Sequence, residues 1–269
     1  MACPSGQAIR QSRGSTGEGA RHHRRHGCLT DPYWRMPGRS PPRLQRIVAR
    51  LLQQHGRQAP PPADTAFALV LWEKVAYLAT DERRTQAFEM LRKRVGLTPE
   101  AILEAKPSVL REIAAVGGKV EIEKRAQNMQ VAAALVMDEF GGSLDNVLRL
   151  PHREAMRALQ RIYGIGEPGA ERILLLMRAR RVLPLDSNGA RTMVRLGYGA
   201  DQRNYSTMYR SVRDSAEKEL HDTFDWLIDA HLVLRRHGQD VCKASTPRCE
   251  ICSVRAECAY AVPRGAGSR

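Results

Sequence analysis

Apolar residues recur at three- and four-residue intervals along most of the chain, which is the period of an α-helix with one buried face. "LQRIVARLLQQHG" (44–56) carries this stripe and stops at a glycine. "APPPAD" (59–64) then reads as a linker into "TAFALVLWEKVAYLATDERRTQAFEMLRKRVG" (65–96), a long helical run expected to break near "ATDERR". "TPEAILEA" (98–105) opens with Thr98 as a cap and Pro99 in the first turn. "SVLREIAAVGG", "EIEKRAQNMQVAAALVMDEFGG" and "SLDNVLRLPHREAMRALQRIYGIG" follow as further helical stretches. After them come "EPGAERILLLMRARR", "SNGARTMVRLGYG", "TMYRSVRDSAEKEL" and "DTFDWLIDAHLVLRRHG". No alternating run of strand length competes with them. The pattern predicts an all-α protein of about ten helices without internal repeats.

The first forty residues break the pattern. "SRGSTGEGARHHRRHG" is rich in Gly, Ser, His and Arg and has no apolar period, so residues 1–43 are expected to form a disordered basic tail. Cys3 and Cys28 fall in it and need no role. The tail holds eight Arg against Glu18 and Asp31, a net of +6, which leaves +8 of the chain's +14 on the remainder. A basic body as well as a basic tail favours polyanions, and nucleic acid first among them. No apolar run reaches the ~20 residues of a membrane span, and no signal peptide is visible, so a cytoplasmic protein with no membrane partner is expected.

The strongest chemical signal lies near the end. Cys242, Cys249, Cys252 and Cys258 are spaced C-x6-C-x2-C-x5-C, with Lys243, Arg248 and Arg255 interleaved. In a reducing compartment four clustered thiols point to metal, and both zinc and a [4Fe–4S] cluster accept four thiolates. With only one CxxC pair, a single compact loop suits a cubane cluster better than a two-knuckle zinc site.

This spacing, with "LVLRRHGQDVC" before it and "PRC" ahead of the second cysteine, resembles the cluster loop of the endonuclease III and MutY DNA glycosylases. The family also carries a helix-hairpin-helix, and "LQRIYGIGEPGAERILLL" (159–176) is similar to one. Glycines at 164 and 166 would allow positive φ and bring backbone N–H groups to a DNA phosphate at a helix N-terminus. The resemblance extends over about Leu44–Tyr260. It implies a two-lobed, all-α helix-hairpin-helix fold with a [4Fe–4S] cluster held by the four cysteines. A six-helix bundle over 64–183 would form one lobe. Residues 44–63 together with 184–260, including the cysteine loop at 242–258, would form the other. DNA would lie across the basic groove between them, bound by a monomer.

The resemblance also implies roles for single residues. Asp186, in "LPLDSNGARTMVRLG", falls in the slot of the family's aspartate. It would stabilise positive charge on the sugar or orient the attacking water, and it also suits a helix cap. Bifunctional members carry a nucleophilic lysine early in the second hairpin helix, where this chain has Pro168 followed by Gly169. Proline keeps a helix start and has no amine for a Schiff base. The implied activity is therefore monofunctional: a damaged or mismatched base in double-stranded DNA is flipped out and its N-glycosidic bond hydrolysed. Two alternatives stand beside it. One is a non-catalytic or redox-sensing DNA-binding protein on the same fold. The other is a bifunctional glycosylase and lyase with a relocated lysine, Lys74, Lys119 or Lys124.

Glu73 aligns with the glutamate that protonates the departing purine in the MutY branch, although a one-residue slide removes the match. Tyr77 would face an extruded base. Gly164, Ile165, Gly166, Gly169, Lys119, Arg125, Lys243 and Arg248 are candidate DNA contacts. The loop "VGGKVEIE" is longer and more charged than its counterparts, which carry wedge residues. The eleven residues after Cys258 leave no room for the extra C-terminal domain of MutY proteins.

Overall fold

The computed structural model describes residues 40–262 of the chain. Tail residues 1–39, with Cys3 and Cys28, lie outside them. The tail assigned to 1–43 ends sooner than expected, because Arg43 is already the first residue of α1 (Arg43–His55). Its guanidinium explains the early start, donating to the carbonyls of Leu196 and Glu257 at 2.5 Å each.

Helices alone make up the regular structure of the described residues. After α1 come α2 (Ala66–Val75), α3 (Asp81–Arg94), α4 (Pro99–Glu104), α5 (Pro107–Val116) and α6 (Ile122–Phe140). Then follow α7 (Asp145–Arg149), α8 (His152–Gln160), α9 (Glu167–Leu176), α10 (Ser187–Leu196), α11 (Tyr205–Ala216) and α12 (Phe224–Asp240). Short 3₁₀ turns occupy 217–219, 249–251 and 255–257.

Local chemistry accounts for most of these boundaries. Thr65, Thr80, Thr98 and Thr223 each accept a backbone N–H of the following first turn, and Pro99 sits just inside α4 as its fixed φ favours. The run 65–96 breaks at residues 76–80, near the expected place. The stretch 143–166 is not one helix. Leu150 is extended and Pro151, which cannot donate an N–H, is the non-helical cap ahead of α8, so α7 stands as a separate single turn. Splits of this kind raise the expected ten helices to twelve.

Buried apolar residues from Ala66 to Leu174 form one hydrophobic cluster, in which α4 and α5 pack on α6, and α2 packs on α3, α6 and α9. Helix α12 packs on α1, α9 and α10. Leu44, Ile47, Val48 and Leu51 line the buried stripe of α1, and Trp226, Leu227, Ala230, Val233 and Leu234 that of α12. The α10–α12 crossing is close because Gly238 has no side chain. A Cβ there would stand 2.5 Å from the Asn188 carbonyl oxygen.

This contact gives a prediction whose sign opposes helix propensity. In a free helix Gly→Ala stabilises by about 0.8–1.0 kcal/mol. Gly238→Ala is expected to destabilise this protein instead, by about 1–3 kcal/mol, because backbone must move to admit the methyl. Urea unfolding followed by circular dichroism measures it, and a stabilised variant would contradict the packing.

Candidate active site and cysteine loop

The hairpin joining α8 to α9 is pinned from below. Ile165 buries its side chain in the core and gives its N–H to the Ile162 carbonyl at 2.9 Å, so it reaches a ligand with neither. Gly164 adopts φ 80°, as the turn requires. Gly166 does not share that geometry: it caps α9 in extended backbone at φ −84°, ψ −175°. Its value lies in open space, since an added Cβ would meet nothing nearer than the Pro168 Cδ at 3.9 Å. Gly169 is buried in the first turn, with Ile165 Cγ2 at 3.5 Å from where its Cβ would be. The first-turn N–H groups of Glu167 and Gly169 have no intrahelical acceptor, and Pro168 contributes none. Beneath the turn, Lys74 of α2 is buried and its Nζ donates to the Tyr163 carbonyl. Burial draws the Lys74 pKa down to about 8, against the opposing pull of Glu73.

Asp186 caps α10. Its Oδ1 accepts the N–H of Asn188 at 3.0 Å and of Gly189 at 2.8 Å. Its Oδ2 faces Arg235 Nε at 3.1 Å and Asn188 Nδ2 at 3.4 Å. Arg235, from α12, also holds Asp81 at the start of α3 with both Nη atoms, which keeps the Asp81 carboxyl below its usual range despite burial. One turn earlier on α12, His231 is fully enclosed, with Nδ1 at 2.8 Å from the Pro184 carbonyl oxygen. Burial, reinforced by Arg172, pushes its pKa down to about 4, so it is neutral at pH 7. Tyr205, 39% exposed, donates to the Leu185 carbonyl at 3.2 Å, and partial desolvation with the nearby Asp186 charge raises its pKa to about 12. Asp186 thus lies among Arg235, Arg172, His231 and Tyr205. None of these partners was expected from the sequence; the spacing of His231 and Arg235, one turn apart on one helix face, is the only local sign of them.

Glu73 pairs with Arg172 of α9 at 2.7 Å, both side chains being mostly covered. Arg125 departs from its expected role as a DNA contact. It is only 5% exposed, and its guanidinium donates to the carbonyls of Val75, Gly118 and Val120 at 2.7, 2.6 and 2.9 Å. With three acceptors inside the protein it ties the α2–α3 elbow to the α5–α6 loop instead. That tie presents Tyr77 and Leu78 from the elbow, and Val120 beside the exposed Lys119, as large apolar groups in solvent; Leu78 is 79% exposed and held at φ 48°. Tyr163 is half exposed on the hairpin nearby, next to Lys124.

The cysteine loop closes on α1, α10 and α12. All four thiols are free, and all four line one small shared cavity. Among the described residues no three His, Cys, Asp or Glu side chains converge where a single metal ion could sit. Arg191 reaches the Cys242 carbonyl at 3.0 Å, and Arg195 the carbonyls of Lys243 and Ala244 at 2.6 and 2.8 Å. From α1, Arg50 pairs with Glu257 at 2.7 Å and Gln54 donates to the Ile251 carbonyl at 2.8 Å. Lys243, Arg248 and Arg255 are exposed, Arg248 also lining the rim of the cysteine cavity. No helix among the described residues is long and apolar enough to cross a membrane.

No family model matches the sequence. The endonuclease III of Sulfolobus acidocaldarius is 27% identical over 197 residues, covering 72% of this chain and 82% of that protein. A trapped endonuclease III–DNA covalent intermediate superposes with a TM-score of 0.64 at 18% identity, over 81% of this chain and 95% of that one. A thermostable thymine-DNA glycosylase gives the same TM-score at 17% identity, over 81% and 96%. The hairpin, the all-helical architecture and these relatives agree: the chain has the helix-hairpin-helix glycosylase fold and is similar in sequence to endonucleases III.

Proposed function

We propose that the protein is a DNA repair glycosylase that extrudes a damaged or mismatched base and hydrolyses its N-glycosidic bond without lyase chemistry. The observation that carries this is the state of Asp186. A carboxylate offers about four acceptor positions, and four donors from Asn188, Gly189 and Arg235 already face it. Such a group is a fixed negative charge. It is suited to stabilising an oxocarbenium-like sugar with no reorganisation, and taking up a proton or a water would first require Arg235 or Asn188 to move. Glu73 enters as the partner of Arg172, a pair that would have to open before it could protonate a base.

The DNA would meet the hairpin at Gly164 and Gly166, where the N-terminal dipole of α9 favours a phosphate. Lys119, Lys243 and Arg248 are exposed and would offer charge to further phosphates. Leu78, Tyr77 and Val120 form an apolar edge suited to filling the gap left by an extruded nucleotide. The four cysteines fit a [4Fe–4S] cluster by number, by chemistry and by their placement around a cavity, since in a cluster each iron takes its own cysteine. When bound, such a cluster would cross-link the loop that carries Lys243 and Arg248.

Asp186→Asn keeps a good helix cap and removes the charge. It is expected to lower single-turnover base release by about 10²–10³-fold while duplex affinity stays within about threefold of the parent. The assay uses labelled duplexes bearing uracil, thymine opposite guanine, oxidised pyrimidines, alkylated purines or adenine opposite 8-oxoguanine. Undiminished release would overturn the role of Asp186. Tight binding with no release from any duplex by the parent would favour the non-catalytic or redox-sensing reading.

A lyase reading rests on one observation, the lowered pKa of Lys74, which brings an amine closer to its nucleophilic form. Its burial and its bond to Tyr163 favour a supporting role instead. Strand breaks are therefore expected only after hot alkali, and borohydride should trap no covalent complex. Trapping that disappears in Lys74→Gln would establish the relocated nucleophile.

A further inference from the structure

Away from Asp186, two histidines stand in line with the cysteine loop. His237 is buried in the last turn of α12, with Nε2 3.6 Å from Cys252 Sγ. Its Nδ1 lies 2.9 Å from His55 Nε2, and the two rings meet edge-on at 72°. His55 ends α1, and its neighbour Gln54 is bound to both sides of Cys252: its amide donates to the Ile251 carbonyl at 2.8 Å and its Oε1 accepts the Ser253 N–H at 3.2 Å. The histidine pair is therefore fixed relative to that sulfur.

With both imidazoles neutral, one proton is shared along each contact, and only one arrangement satisfies both. A thiolate ligand is an acceptor, so a lone pair on His237 Nε2 would face it repulsively. The proton must sit on His237 Nε2. Its Nδ1 is then an acceptor, and His55 Nε2–H supplies the donor.

We propose that His237 donates an N–H···S hydrogen bond to the cluster ligand Cys252, in a tautomer fixed by His55, and that this bond raises the reduction potential of the cluster. The inference rests on the reading of the four cysteines as [4Fe–4S] ligands. Its physical basis is charge: a donor at a ligand sulfur stabilises the more negative, reduced cluster more than the oxidised one. Enclosure strengthens the effect, because no water competes at His237. His237 is thus a tuning residue, acting on the cluster through Cys252 and touching no substrate.

The test uses the full-length cluster-bearing protein, first assayed for iron and acid-labile sulfide. A parent without either would remove the cluster reading itself. In a loaded parent, His237→Leu is expected to shift the oxidised-to-reduced ratio at fixed potential at least tenfold toward oxidised. For one electron that is about 59 mV to the negative. The Fe–S(Cys) resonance Raman bands should also lose part of their shift between H₂O and D₂O, the part left coming from donors such as Arg195 on Cys242 Sγ. His237→Gln, which restores an N–H, should recover part of both, and His55→Ala should give a smaller shift in the same direction. A folded, fully loaded His237→Leu with the parent's potential and isotope shift would overturn the proposal. Should the leucine variant fail to fold or load, an unchanged potential in His55→Ala would overturn it equally.

Discussion

Arg235 is the constraint on which the site depends. Its guanidinium faces Asp81 at the start of α3 and Asp186 at the start of α10, so one cation from α12 sets the distance between two helix N-termini. Two carboxylates brought together without it would repel, and each would carry a desolvation penalty. Burial disfavours the charged form of Arg235 itself, and Asp81 and Asp186 more than offset this, so its pKa rises above its usual value. Helix α12 therefore acts as a ruler for the whole functional face. His231 meets the Pro184 carbonyl just ahead of Asp186, Gly238 admits the backbone of Asn188, and His237 reaches Cys252. The candidate active site and the cysteine loop are thus mechanically linked through one helix.

The hairpin shows a second economy of parts. Beside the half-exposed Tyr163, Gly164 and Gly166 leave the turn's backbone uncovered, as a proposed phosphate contact would require. Its support is internal: Ile165 in the core, Gly169 packed against it, and Lys74 on the Tyr163 carbonyl. Placing a buried ammonium under the turn costs desolvation, which is why its pKa falls. In return the turn is held by a cation on the same side as the α9 dipole, and both favour an anion above.

What was legible in the sequence was local. A cysteine spacing, a Thr-Pro helix start, a Gly-x-Gly turn and an aspartate in a capping position each announce themselves within a few residues, and the structure places Thr98, Gly164 and Asp186 accordingly. The resemblance then ordered these signals into a fold. Illegible were partners brought together by tertiary packing. Arg125 looks like any loop-side arginine until three carbonyls from two loops converge on it. Arg172 and Arg235 are ordinary helix arginines whose partners lie 99 and 154 residues away. Gly166 departs from its expected positive φ for the opposite reason. A glycine in a turn suggests positive φ, whereas here the absent side chain matters only for the space it leaves.

The electrostatics around Asp186 bear on the choice between a glycosylase and an inert DNA-binding relative. A helix cap alone contributes about 1 kcal/mol, and an asparagine supplies it without charge. This chain instead places a carboxylate where it is mostly covered, sets an arginine against it, and surrounds both with a neutral histidine and a tyrosine whose pKa values desolvation has displaced. For capping alone, the favourable helix dipole offsets only part of the cost of covering a carboxylate and its arginine, and an asparagine would avoid that cost. For chemistry it is apt: charge developing on a sugar would meet a carboxylate already oriented and largely shielded from water, where each ångström of approach counts more than it would in solvent. Pro168 is consistent with the same division of labour. In the proposed mechanism it would leave the hairpin to grip DNA and the transition state to be met by charge rather than by a covalent bond.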